Sequence, residues 1–92
     1  MIVRILGEGQ LELPDAATDE LNVLDSELET AVNAGDEAAF RPALTALLDR
    51  IRSLGRPLAA DALEPSDLIL PYADADLADV REMLTGEGLI PG

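Results

Sequence analysis

An α+β fold with element order ββααβα follows from three features of the sequence. Two short strand-like segments flank a Gly-Glu-Gly turn at residues 7–9. Two longer stretches then carry apolar residues at three- and four-residue steps, the period of amphipathic helices. A short apolar run at 67–71 comes next, followed by a third and shorter helical pattern. The architecture expected is a small three-stranded sheet, made of an N-terminal β-hairpin and one later strand. It packs with a long antiparallel helical hairpin and a short C-terminal helix. A length of 92 residues predicts a single domain over 1–92.

Residues 2–6 are dense in β-branched and apolar side chains, which suits a strand. Gln10-Leu11-Glu12-Leu13 alternates polar and apolar, as a half-buried strand does. A three-residue, Gly-containing loop between them predicts a hairpin with Gly9 in the left-handed conformation. Symmetry about Glu8 would set Ile5 opposite Leu11 and Val3 opposite Leu13 on one face. It would set Arg4 opposite Glu12 on the other, shared with Ile2 and Leu6.

Pro14-Asp15 opens the first helix, whose stripe is Ala17, Leu21, Leu24, Leu28, Ala31 and Val32, with Asp15 or Thr18 as cap. Gly35 ends it, and Asp36 caps the second helix with Glu37 in its first turn. The stripe of the second helix is Ala39, Phe40, Ala43, Leu44, Leu47, Leu48, Ile51 and Leu54, and Gly55 stops it. Pro42 in its second turn predicts a kink or a late start. The two-residue connection makes the helices antiparallel neighbours. Glu20 and Glu27 border the first stripe on one edge, Asp25 and Glu29 on the other; Arg50 borders the second stripe on one edge, Arg41 and Arg52 on the other. Acidic edges beside arginine edges would set the pairing of the helices.

Residues 57–67 read as a loop, and Asp67–Pro71 as a strand that ends at its proline or lies at a sheet edge. Asp76 and Asp79 have the spacing of a capping pair ahead of Leu77, Val80, Met83 and Leu84, a helix closed by Gly86.

Composition narrows the chemistry. The chain has 19 Asp and Glu, six arginines, no lysine, no histidine and no cysteine, for a net charge of -13. Thiol chemistry, Cys/His metal sites and histidine acid–base catalysis are excluded. So is nucleic-acid binding through a basic patch. The acids at 74, 76 and 79 fail as a calcium loop, since Asp79 stands where glycine is needed and Thr85 where glutamate is. Gly7-Glu8-Gly9 lacks the lysine of a phosphate loop. No catalytic, cofactor-binding or metal-binding residues are assigned, and no enzyme activity is expected. No run of 18 apolar residues and no basic-then-apolar leader occurs, so a cytoplasmic protein without direct membrane insertion is expected.

The surface is more informative. Val23 lies off the first stripe, Ile2 and Leu6 lie on the second face of the hairpin, and Leu89 and Ile90 lie in the terminal tail. The Ile2/Leu6 face is open to cover by the later strand, by the tail or by another chain.

MIVRILGEGQ, GDEAAFRPALTALLDRIRSLG and PSDLILPYADADLADVREMLTGEGLIPG resemble the PspAA family, the PspA-associated proteins found mainly in actinobacteria. The resemblance covers nearly the whole chain, and Pro42 departs from it where alanine is expected. It implies a non-enzymatic adaptor or modulator of a PspA-like coiled-coil protein, related to ESCRT-III, in the phage-shock envelope-stress response. The protein would reach the membrane only through that partner. The residues expected at the partner are Glu20, Asp25, Glu27 and Glu29, with the apolar Ile2, Leu6, Leu89 and Ile90 meeting the partner or a second copy in a homo-oligomer. The rival readings are a self-associating structural subunit and an acidic DNA mimic or inhibitor.

The helical stripes generate a first prediction. Leu47→Ala should destabilise the protein by about 2–5 kcal/mol, and a substitution at Val23 by under about 0.5 kcal/mol. Denaturant melts of the two variants measure the difference, and equal losses would mean the faces are assigned wrongly.

Overall fold

The computed structural model describes residues 1–59 and 65–83. Among them the chain forms β1 (Ile2–Ile5), β2 (Gly9–Glu12), α1 (Thr18–Ala34), α2 (Glu37–Leu54), β3 (Arg56–Pro57), β4 (Leu68–Leu70) and α3 (Leu77–Met83). The strands lie in the order β3-β2-β1-β4. The sheet therefore has four strands rather than three. The added strand, β3, is the chain leaving α2, laid antiparallel along β2 with Pro57 beside Leu11 and Arg56 beside Glu12. Two residues carry no readable alternation, and a proline has no N–H to signal a ladder, so this segment reads as loop. Its edge position is the one place in a sheet where proline is tolerated.

The hairpin forms with a register two residues from the symmetric expectation. Ile5 pairs with Gly9, Arg4 with Gln10, Val3 with Leu11 and Ile2 with Glu12. Gly7 and Gly9 both have positive φ, at 84° and 109°, and the Glu8 N–H donates to the Ile5 carbonyl at 2.9 Å. The tight end of the turn is thus at residues 6–8. A two-residue shift keeps every side chain on its face, because the side-chain period is two. Val3 and Ile5 stay on the buried face, but Arg4 loses Glu12 as its expected neighbour and faces Gln10 instead.

β4 lies parallel to β1, with Val3 beside Leu68, Arg4 beside Ile69 and Ile5 beside Leu70. It is an edge strand, as Pro71 predicts. Val3, Ile5, Leu68 and Leu70 are buried in one cluster with the helical stripes, so the helices cover one face of the sheet.

α1 is preceded by a 3-10 turn over Asp15–Ala17, and neither Asp15 nor Thr18 caps it with its side chain. Its far end follows the expectation closely. Gly35 is left-handed at φ 68°, its N–H meets the Val32 carbonyl, and the Asp36 N–H meets the Ala31 carbonyl at 3.0 Å. This pair of bonds is a Schellman stop. Asp36 then accepts a hydrogen bond from the Ala39 N–H at 3.2 Å and starts α2. Two residues therefore end one helix and begin the next. The late start that Pro42 suggested is absent, and α2 runs from Glu37 through Pro42 to Leu54. Burial of Phe40, Leu44, Leu47, Leu48 and Ile51 on its stripe outweighs one missing backbone bond. Asp76 and Asp79 form a reciprocal capping box, each carboxylate accepting from the other's N–H, at 2.8 and 3.3 Å. Leu84 and Gly86, expected to close α3, lie outside the described residues.

The two positive-φ glycines of the hairpin differ in their surroundings. A Cβ on Gly7 would stand 2.9 Å from two ring carbons of Tyr72, whereas one on Gly9 would meet nothing within 4 Å. Gly9→Ala should therefore show only the left-handed backbone strain, about 1–2 kcal/mol. Gly7→Ala should lower stability further, and the excess should shrink when Tyr72 is also changed to Ala. Denaturant melts of the four variants test this, and equal losses at Gly7 and Gly9 would exclude a role for the Tyr72 ring.

Candidate protein-binding surfaces

The expected acidic surface begins with the outer side of α1. Leu21, Leu28, Ala31 and Val32 turn inward, which leaves Val23 60% exposed beside Ser26, Glu27 and Thr30 in a shallow groove. Of the four acids expected to bind a partner, Glu20 is held in a two-point fork by Arg50, at 2.7 and 3.3 Å. Asp25 is buried, only 3% exposed, and this corrects its expected place on a solvent-facing edge. A helix periodicity places it beside the stripe but cannot tell how far the neighbouring elements wrap round. Glu27 is exposed and Glu29 half-buried, and neither forms an ion pair with a described residue. The acidic surface of α1 thus narrows to Glu27 and Glu29, with Asp19 in the first turn.

The arginines of α2 do not all face α1. Only Arg50 bridges the two helices. Arg41 donates to the carbonyls of Ala73 and Ala75, at 2.8 and 2.6 Å, and ties the segment before α3 to α2. Arg52 holds Glu8 in the hairpin turn and Asp49 one turn back on its own helix. Arg56 pairs with Glu12 across β3 and β2. Arg81 of α3 donates to the Val32 carbonyl at the end of α1, at 2.9 Å.

The fork of Arg52 on Glu8 has an electrostatic consequence. Its hydrogen bond holds the Glu8 carboxyl below the ordinary value of 4.5, with partial desolvation opposing it and the positive charge of Arg52 adding to it. The same contact raises Arg52.

The second surface is the face of the sheet turned away from the helices. Ile2, Arg4 and Leu6 point to it from β1 and its end. Ile2 and Leu6 are half-buried and Arg4 is exposed. Part of this face is covered by the chain itself. β3 and β4 lie at opposite edges of the sheet. Just before β4, Ser66 and Asp67 reach Gln10 and Ile2: the Gln10 amide donates to the Ser66 hydroxyl at 2.8 Å, and the Ile2 N–H donates to the Asp67 carboxylate at 2.8 Å. Beyond these contacts Ile69 and Tyr72 remain about half exposed, at 49% and 53%. Sequence reasoning passed over both. The run Leu68-Ile69-Leu70 held the signal, since an edge strand with Leu68 and Leu70 inward must present Ile69 outward. Leu89 and Ile90, expected on this surface, lie outside the described residues.

No helix among the described residues is long and apolar enough to cross a membrane. The picture is of an acidic two-layer α+β protein in which five arginines tie elements together. The family model of the PspA-associated proteins, PspAA, matches residues 1–92, and the chain belongs to that family. Neither a curated protein nor a solved structure matches it.

The Glu8–Arg52 contact generates a pH prediction. A folded-state carboxyl held below its unfolded value adds stability that is fully present above the unfolded value, and that stability is lost as pH falls through the folded one. Glu8→Gln should therefore flatten the acid limb of stability below about pH 5, while changing stability at neutral pH by no more than about 1 kcal/mol, as suits an exposed pair. Melts across acid pH measure it, and an unchanged acid limb would remove Glu8 from the account.

Proposed function

We propose that this chain is a non-enzymatic adaptor that binds a PspA-like coiled-coil protein and tunes its assembly or its action at the membrane during envelope stress. The observation that carries the reading is the match of the PspA-associated family over the whole chain. In this reading the protein works in the cytoplasm and reaches the membrane only through its partner.

The structure supports a division of labour between the two surfaces. A net charge of -13 makes a field that attracts a basic partner over a distance, and on α1 Asp19, Glu27 and Glu29, which form no ion pair with a described residue, contribute to it. Lasting contact needs apolar surface withdrawn from water, which the outer face of the sheet supplies near Ile2 and Leu6. The DNA-mimic reading loses support, since such a decoy needs carboxylates arrayed along one face. On α1, Glu20 is taken by Arg50 and Asp25 is buried. Self-association through the sheet face is the remaining rival, and light scattering on the purified protein measures it.

Co-purification with the PspA-like protein of the same genome tests the adaptor reading, and failure to associate at any salt concentration would overturn it. Surface plasmon resonance at about 0.05 and 0.5 M salt, between which the Debye length shrinks several-fold, separates the two surfaces. Glu27→Lys with Glu29→Lys should slow association and weaken its salt dependence. Leu6→Asp should chiefly speed dissociation.

A further inference from the structure

Arg4 is the arginine that the described residues leave without a polar partner. Arg50, Arg52 and Arg56 pair with carboxylates, and Arg41 and Arg81 donate to backbone carbonyls. Arg4 is exposed and makes no hydrogen bond or ion pair with any described residue. In a chain with 19 acids this isolation needs a cause, and the sheet supplies it. The lateral neighbours of Arg4 are Gln10 on β2 and Ile69 on β4, both uncharged. The register that moved Glu12 away from Arg4 placed Glu12 beside Arg56 instead.

Arg4 also borders an apolar strip, with Gln10 and Glu8 on its other side. Ile69 flanks it across the sheet, Leu6 follows it outward on the same strand, and the Tyr72 ring lies against Gly7 just beyond. An arginine and a tyrosine beside partly exposed aliphatic side chains is the composition of binding hot spots. Among the described residues the helices cover the other face of the sheet, and Ser66 and Asp67 meet this face at Gln10 and Ile2.

The geometry points to this strip as the seat of an amphipathic helix from the partner protein, one that lays aliphatic residues on Ile69, Leu6 and Tyr72 and a carboxylate on Arg4. The inference rests on the adaptor reading and adds where the partner sits and what it presents. A helix fits better than an added strand. The outer edge of β4, unpaired among the described residues, is three residues long and ends at Pro71, which leaves little backbone for a β-ladder. A helix laid across this face instead gives the sheet a third layer. Charge complementarity selects the acid. Elsewhere the surface is mostly negative and repels carboxylates, so a partner carboxylate is favourable beside Arg4 and unfavourable at most other registers.

The test is a titration of the isotope-labelled full chain with the purified PspA-like protein of the same genome, followed by NMR, with affinities measured on variants whose spectra show an intact fold. Amide signals of residues 2–6 and 68–72 should change first. Arg4→Glu should weaken affinity roughly tenfold or more, Arg4→Lys less, and Ile69→Asp should do the same as Arg4→Glu. Changes centred on Val23 to Thr30, or an Arg4→Glu variant of unaltered affinity, would overturn the inference while leaving the adaptor reading in place. A dimer of the free chain that Ile69→Asp dissociates, with partner binding unaffected, would assign the face to a second copy and also overturn it. No signal changes at all, with no co-purification, would remove the adaptor reading itself.

Discussion

Everything else in this protein is arranged around β1. It is paired on both sides: β2 returns antiparallel on one, and β4, more than 60 residues later, lies parallel on the other. Its alternation does two jobs with five consecutive residues. Val3 and Ile5 are fully buried under the helices, while Ile2, Arg4 and Leu6 turn to the opposite face. The core and the proposed partner surface are therefore the two sides of one strand, and neither can be moved without the other. The chain leaves the sheet at β3 and re-enters at the opposite edge as β4, and just before it does so Ser66 and Asp67 bond to Gln10 and Ile2.

The few cations are spent on joining elements rather than on balancing charge. Arg41 and Arg81 each reach across more than 30 positions in sequence to backbone carbonyls, one holding the segment before α3 and the other closing the end of α1. A guanidinium suits this work because its planar fork meets several acceptors at once and stays charged at every working pH. Exposed pairs such as Arg50–Glu20 add little energy singly, about 0–1 kcal/mol, but they specify which surfaces meet. What remains is a strongly negative chain in which Arg4 pairs with none of the described residues, and that contrast is what gives the outer sheet face its character.

Much of this was determined by the sequence alone. The helical stripes, the Gly35–Asp36 junction, the Asp76–Asp79 capping box, the edge position of the strand before Pro71 and the family resemblance all depend on residues close together in the chain. Local periodicity, backbone conformation and short-range hydrogen bonds are set by neighbours, so they can be read without the fold. The tertiary structure alone decided the partners of groups far apart in sequence. It placed β3 against β2, shifted the hairpin by two residues through the paired glycine conformations, buried Asp25, and gave Arg41 carbonyls where acids had been expected. It also left Arg4 without a hydrogen bond or ion pair to any described residue. A side chain's exposure and its long-range partners depend on which elements pack beside it, and a one-dimensional pattern carries no distance between residues that meet only on folding.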